Sequence, residues 1–374
     1  MSKPEYTLAE YIWIDGTVPT RFLRSKGRAV NFGKTPKIED FPQWSFDGSS
    51  TMQAEGGDSD CLLQPVSYVS DPVRGEGNFL VMCEVLNPDG SPHESNSRAQ
   101  LREVLDAGAG KQEPWLGFEQ EYTLFNKGRR SPLGWPEHGF PAPQGPYYCG
   151  VGADEAFGRE VAEAHAEACL DAGIMYYGLN AEVMPGQWEF QIGYRGDDSE
   201  DAGALSICDQ TWIARWLLYR VAEEFEISAT LDNKPVKGDW NGAGMHTNFS
   251  TKDTRDKAKG QAAIDAAMEA LEKKHVEHIA LYGAGLEARL TGEHETCNIN
   301  TFKVGTADRG CSIRIPAPVA EKGYGYFEDR RPGANADPYL VAARLCTTVA
   351  GIDESVMKFS HWPRKDKKLR IAAE

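Results

Sequence analysis

The run NAEVMPGQWEFQI, Asn180 to Ile192, decides how the rest of the chain is read. At the two-residue period of a strand, Leu179, Ala181 and Val183 share one face, and Asn180 and Glu182 share the other. Beyond Pro185-Gly186, Trp188, Phe190 and Ile192 alternate with Gln187, Glu189 and Gln191. Pro followed by Gly between two such runs signals a turn. With those two residues central, Met184 pairs with Gln187, and the register sets Glu182 opposite Glu189, about 5 Å apart. Two carboxylates at that spacing repel unless a cation or a proton lies between them. Pro-Gly favours a type II turn whereas hairpins favour the primed types, so this register hangs on the turn.

A second strand repeats the arrangement. In WLGFEQEYTL, Trp115 to Leu124, the even positions Leu116, Phe118, Tyr122 and Leu124 supply core, while Glu119 and Glu121 project from the other face. One such strand suits an antiparallel sheet with a wet face. Two of them put four carboxylates on a shared cleft, which is costly to bury without counter-charge.

The chain has 374 residues, enough for two domains or one large one, and a net charge of −16. That acidity argues against a nucleic-acid partner and suits an enzyme that gathers cations. The start, MSKPEYTLAEYIWIDG, lacks the pattern of a signal peptide, and no run approaches the ~20 apolar residues of a membrane span. Eight scattered cysteines without a CxxC pair read as reduced thiols of a cytoplasmic protein.

The fold class expected is α+β. The first hundred residues read as strands and turns, with Tyr6 to Ile14 and the apolar run Asn78 to Leu86 as strands. The turn-rich connector Asn87 to Asn96 divides a small domain, 1–92, from a larger one, 93–374. Helices are expected from Ser97, with Gln100 closing a capping box, and from Asp154 to Gly173. Others are expected over Ala204 to Phe225 and Gln261 to Tyr282, and after Asp337-Pro338. Ser131 to Tyr148, with five prolines, reads as a long ordered loop, and Arg364 to Arg370 as a basic solvated tail. Gly33-Lys34-Thr35 imitates the end of a phosphate-binding loop. Gly27 is one residue too far upstream, however, and Pro36 stands where a helix would start.

In NGAGMHTNFS, Asn241 to Ser250, Gly242 and Gly244 permit close backbone approach, and a strand then puts His246, Asn248 and Ser250 on one face. A lone strand histidine is most often a satisfied structural residue. Beside four glutamates it becomes a ligand candidate for a hard divalent ion. In CSIRIP, Ser312 and Arg314 share a face; in YFEDRR, Tyr326, Glu328 and Arg330 do. With Arg289 and Arg309 these guanidinium groups suit carboxylate and phosphate oxygens. Carboxylates, a metal and arginines around phosphates are what phosphoryl transfer needs, because that chemistry is mostly positioning and charge neutralisation.

FDGSST, EQEYTL, NAEVMPGQWEFQIG, NGAGMHTNFS, GEHET, RGCSIRIP and FEDRRP, in that order from about Tyr11 to Ala350, together resemble type II glutamine synthetase. The resemblance implies an N-terminal β-grasp-like domain and a catalytic domain with a curved antiparallel sheet flanked by helices. It implies joining of glutamate and ammonium at the expense of ATP, through γ-glutamyl phosphate, with Mg²⁺ or Mn²⁺. By position Glu121, Glu182 and Glu189 match the ligands of one metal, and Glu119, His246 and Glu328 those of a second. Arg309, Arg314 and Arg330 match groups on phosphate and glutamate, and Arg289 matches one on the substrate carboxylate. Asn248, Ser250 and Tyr326 fall at nucleotide positions. Asp239, Trp240 and Gly242 fall at a glutamate position, where the family more often has Asn before the Trp. Asp47 matches the residue that takes a proton from ammonium, and Glu295 the flap residue that closes over the intermediate. The resemblance also implies a homo-oligomer, typically two stacked pentameric rings, with each site shared between subunits. Three rivals remain at this stage. They are a ligase using another amine, a guanidino phosphotransferase of related architecture, and a non-catalytic protein on the same scaffold.

Overall fold

The first ninety residues build a five-stranded sheet, two of whose strands are buried on both faces. The computed structural model describes residues 6–33, 35–128 and 131–359; the basic tail Arg364 to Arg370 and Lys34 of the false phosphate loop lie outside them. Strands β1 (Thr7–Ile14), β2 (Leu23–Val30), β3 (Trp44–Asp47), β4 (Asp60–Ser70) and β5 (Phe79–Leu86) are ordered β2-β1-β5-β4-β3. Only β1 and β5 run parallel. Tyr11, Trp13, Val81 and Cys83 enclose a small core of their own, while Ile12, Ile14, Leu80 and Met82 join the large core of the rest of the chain. That explains why Phe79 to Cys83 is apolar at every step rather than at every second one.

The second sheet has eight strands. These are β6 (Trp115–Asn126), β7 (Tyr176–Ala181), β8 (Gln187–Ile192), β9 (Ile227–Thr230), β10 (Met245–Ser250), β11 (Val304–Thr306), β12 (Ile313–Ile315) and β13 (Phe327–Asp329). Their order is β11-β12-β13-β10-β6-β8-β7, with β9 also on β6, and all pairs are antiparallel except β11–β12. Its inner face carries Phe118, Tyr122, Trp188, Phe190, Ile192, Met245 and Phe249, all essentially inaccessible. Each contributes about 1.5–3 kcal/mol by leaving water.

Helices α1 (Ser97–Asp106), α2 (Arg159–Asp171) and α3 (Ala204–Glu224) pack beside the sheet with α4 (Lys252–Arg255), α5 (Gly260–Lys273), α6 (His275–Ile279), α7 (Ala317–Lys322) and α8 (Pro338–Ala350). Helix α8 starts as expected, with the Asp337 side chain accepting from the Tyr339 N–H. It is apolar all round and buried from Pro338 to Thr348. Arg215 of α3, fully buried without a carboxylate, is satisfied by Gln120 Oε1 at 2.6 and 2.9 Å and by the carbonyls of Ala334 and Ala336. It thereby clamps the centre of β6 to the segment after β13.

Four expectations are corrected. Helix α1 is capped by Asn96, whose side chain accepts from the Ala99 N–H at 2.9 Å. Gln100 closes no box, because its buried amide bonds Val356 O and the Lys358 N–H. The next helix starts not at Asp154 but after Gly158 (φ 84°), since residues up to Phe157 are held against Trp188, whose Nε1 donates to Phe157 O at 2.8 Å. The segment Gln261 to Tyr282 is two helices. Lys274 leaves helical geometry, and His275 then bonds Ile299 O and the Arg331 guanidinium. In the hairpin, Asn180 rather than Glu182 stands opposite Glu189. The turn Met184–Gln187 is closed by a 3.0 Å bond, with Gly186 at φ 72° as a type II turn requires. That turn does not match strand twist, so Glu182 and Val183 join the loop and the register moves by two. A shift of two leaves every side chain on its own face.

Candidate active site

Five adjacent strands, β8, β6, β10, β13 and β12, present their polar face to one cleft of about 470 Å³. The pairing is side by side: Glu121 opposite Glu189, His246 opposite Glu119, Arg314 opposite Glu328. The like-charged pair anticipated in the hairpin therefore exists, but between β6 and β8. Glu182 lines the same cleft from the turn, hydrogen-bonded by Asn180 at 3.0 Å.

Burial and mutual repulsion dominate the acidic side. Burial, then Glu119, raises the Glu189 carboxyl well above its ordinary range. Glu182 is pushed up to about 8 by burial and then by Glu121. Glu121 is raised by burial, against the pull of Arg289 and of the Gly244 N–H at 2.6 Å. Donor atoms of Glu119, His246 and Glu328 lie within 4.8 Å of one another, and so do those of Glu121, Glu189 and His246. Carboxylates crowded with one imidazole in a buried cleft fit a hard divalent cation. His246 is buried and its acidity is shifted so that the neutral ring is favoured, by burial and then Arg330. Arg289 Nη2 lies 3.0 Å from His246 Nε2, and Nδ1 faces Glu119 at 3.6 Å and Glu328 at 3.5 Å.

Arginines form the opposite rim. Arg330 Nη1 contacts Glu328 Oε1 at 2.5 Å and Arg314 Nη1 contacts Oε2 at 2.8 Å. Arg330 also donates to the carbonyls of Arg309 and Glu295. Arg309 and Glu295 are half-exposed at the mouth, 3.9 Å apart. Arg289 is buried and donates to Arg330 O at 3.1 Å. A Cβ on Gly244 would stand 2.3 Å from Arg289 Nη2, and one on Gly242 would stand 2.6 Å from Asn233 O, so close approach requires both glycines. Gly242 and Asn241 line the cleft, but Asp239 and Trp240 do not: Trp240 packs edge-on against Trp135, and Asp239 faces His294.

Strand β10 runs on into a second pocket of about 380 Å³ holding Asn248, Ser250 and Tyr326. Asn248 Nδ2 donates to Glu119 Oε1 at 2.8 Å, linking the two spaces. Trp115, Tyr177, Tyr194 and Arg255 also line it, with the Arg255 guanidinium 4.1 Å from the Trp115 ring. These four had escaped notice. The signal available was aromatic residues at strand ends pointing away from the core, as Tyr177 does beside buried Tyr176.

Asp47 is elsewhere. It ends the edge strand β3, is fully exposed, and is not among the cleft's lining residues. Hydrogen bonds from the Ser49 hydroxyl, the Ser50 hydroxyl at 2.8 Å and the Ser49 N–H hold its pKa down to about 2.

The raised carboxyls make stability respond to pH and to cations together. Folded Glu182 keeps a proton up to about pH 8 that the unfolded chain releases near its ordinary 4.5. Between those values the folded state binds more protons, so stability falls as pH rises, by at most about 1.4 kcal/mol per pH unit per group. The metal-free protein is expected to melt lower at pH 8 than at pH 5. A divalent cation at a hundred times its Kd should restore about 2.7 kcal/mol at pH 8 and less at pH 5. Calorimetry with and without millimolar cation checks this, and indifference to the cation at pH 8 would remove the cation site.

An acidic cleft rimmed by arginines, with an aromatic pocket beside it and a small mixed sheet packed on the body, marks a metal-using enzyme that handles anionic substrates. Residues 5–88 match the glutamine synthetase beta-Grasp domain and residues 94–280 the glutamine synthetase catalytic domain, and the chain belongs to the glutamine synthetase family. It is 56% identical over 349 residues to the chloroplastic glutamine synthetase of Chlamydomonas reinhardtii, covering 91% of this chain and 90% of the relative. It is 56% identical over 342 residues to the glutamine synthetase of Streptomyces viridochromogenes, covering 91% and 96%. With that of Saccharomyces cerevisiae it shares 51% over 351 residues, covering 94% and 91%. The chain is accordingly a glutamate–ammonia ligase of an ATP- and metal-using family. No helix among the described residues is long and apolar enough to cross a membrane.

Proposed function

We propose that the chain makes L-glutamine in two steps at this cleft. The γ-carboxylate oxygen of glutamate attacks the terminal phosphorus of ATP and ADP leaves. Ammonia then attacks the acyl carbon of γ-glutamyl phosphate and phosphate leaves. The observation that carries this reading is the single seam of Glu119, Glu121, Glu189, His246 and Glu328 with Arg289, Arg314 and Arg330 on its rim.

Glu121, Glu182 and Glu189 would hold one Mg²⁺ or Mn²⁺, and Glu119, His246 and Glu328 a second. Bound there, the cations screen the crowded carboxylates and neutralise phosphate charge. Arg289 takes the substrate carboxylate, with Gly242 shaping that end. Arg309, Arg314 and Arg330 hold the phosphoryl group as charge moves onto it. Asn248, Ser250 and Tyr326, with Trp115 and Tyr177, seat the nucleotide. Glu295, on the flap, excludes water from the acyl phosphate.

The assignment of Asp47 to ammonium implies a site completed by another subunit, because this fully exposed residue on the edge of the first sheet does not line the acidic cleft of its own chain. A ring homo-oligomer of two stacked pentamers supplies that neighbour. Phe140 and Val151, 77% and 86% exposed, offer apolar surface for such contacts. Residues 1–92 and 93–374 are the two domains in this reading, with the turn at Asn87–Ser91 between them. The eight free thiols, six of them buried, suit the cytoplasm.

The test is an assay omitting ATP, glutamate, ammonium and divalent cation in turn. Glutamine and phosphate are expected in equal amounts only when all four are present. Phosphate release that ignores glutamate, or a preference for another amine in competition, would overturn the assignment.

A further inference from the structure

The flap segment, Gly292 to Thr296, reaches the cleft on two consecutive left-handed residues, His294 (φ 52°) and Glu295 (φ 59°). Neither is glycine, so this backbone persists only where its surroundings hold it. Two holds are internal to the machinery. Thr296 Oγ1 donates to Glu293 O at 2.7 Å, and Arg330 Nη2 donates to Glu295 O at 3.3 Å. The third comes from outside it.

His294 Nε2 lies 3.1 Å from Asp239 Oδ1, and Gln144 Nε2 lies 3.3 Å from His294 Nδ1. The direction of each bond is determined. The Asn241 N–H donates to Gln144 Oε1 at 2.7 Å and Gln144 Nε2 donates to Asn241 Oδ1 at 2.7 Å, so the amide can turn only N–H groups toward His294. His294 Nδ1 therefore accepts, its ring proton is on Nε2, and that proton is donated to Asp239. Lys234 Nζ, donating to Trp240 O, ties down the residue that follows Asp239. The Asp239 carboxylate is thus engaged with the flap.

We propose that Asp239, His294 and Gln144 form a latch that positions the flap, so that the acyl phosphate meets ammonia rather than water. The inference rests on the ligase reading above and makes Asp239 and His294 positioning residues. With the latch intact, nitrogen attacks the acyl carbon and the products are glutamine and phosphate. With it broken, water attacks the same carbon, glutamate and phosphate are released, and ATP is spent without glutamine. The Asp239 side chain is 96% exposed and that of His294 19%. A contact so open to solvent is weak by itself, so the expected effect is a few-fold change in partitioning and not loss of the reaction.

The experiment measures ADP formed per glutamine at limiting ammonium for wild type, Asp239→Ala, His294→Ala, their double variant and His294→Gln. The ratio is expected to rise from one to about three in each alanine variant. The apparent KM for ammonium should rise with it, while nucleotide affinity and melting temperature stay within error. The double variant should be no worse than either single one, because both remove the same bond. His294→Gln, whose amide N–H reaches Asp239, should return most of the coupling. A ratio of one in both alanine variants, or additive effects in the double variant, would overturn the latch. Wild type that makes no glutamine would overturn the ligase reading instead, which keeps the two failures apart.

Discussion

Arg330→Met is expected to lower kcat for glutamine formation by about 10³. The guanidinium is 6% exposed and makes three separate bonds: one to Glu328, one to the Arg309 carbonyl and one to the Glu295 carbonyl. Removing it takes a fixed positive charge from the arginine side of the cleft, where the proposed reaction would seat the phosphoryl group. It also leaves buried Glu328 with Arg314 alone and frees the flap. Breaking one side of a buried ion pair costs about 3–5 kcal/mol, so the variant should also melt lower, and added divalent cation should recover part of that difference. Arg330→Lys should recover little activity, because an ammonium group has one charged centre where the guanidinium reaches a side chain and two carbonyls at fixed angles. Steady-state kinetics with saturating ATP and glutamate check this. Arg330→Lys with half the wild-type kcat would show that the fork is not what matters.

Asp47→Asn is expected to lower kcat/KM for ammonium by about 10² to 10³ while leaving nucleotide binding intact. A carboxyl held down to about 2 by Ser49 and Ser50 is ionised at every working pH. Such a group is a weak proton acceptor and a strong fixed anion. In the proposed shared site Asp47 would hold ammonium by charge, and the proton would pass to solvent water as the nitrogen enters the cleft. Because Asp47 and Arg330 sit on different parts of the chain, co-expressed Asp47→Asn and Arg330→Met subunits should form hybrid oligomers. Shared sites with both residues intact should then restore a measurable fraction of activity. An inactive hybrid of confirmed mixed composition would argue that each site is built within one chain. Asp47→Asn with wild-type ammonium dependence would remove Asp47 from the reaction.

The candidate site was largely legible in the sequence because its parts are strand-borne. Glu119 and Glu121 alternate with core residues on β6, and His246 and Asn248 do so on β10. That alternation is a local property of the pleated backbone, visible in a dozen residues. Helix positions were legible where capping and composition agreed, as for Ala204–Glu224 and the Asp337-Pro338 start of α8. They failed where a side chain was claimed from afar, as with Gln100 by the segment at Val356–Lys358 and His275 by Ile299. Trp115, Tyr177, Tyr194 and Arg255 converge from four separate segments, so an outward aromatic in any one of them could not locate the pocket.

By itself the sequence determined which face of each strand is acidic, which residues are core, and that arginines accompany the carboxylates, because side-chain period and charge are written residue by residue. Only the tertiary structure decided which carboxylates meet. Glu121 opposes Glu189 across two strands sixty-odd residues apart, and a turn's twist moved Glu182 off that position by two. It likewise decided that Asp239 meets His294 while Asp47 stands away from the cleft of its own chain. Register and long-range approach depend on turn geometry and on packing summed over the whole core, and neither quantity belongs to any single segment.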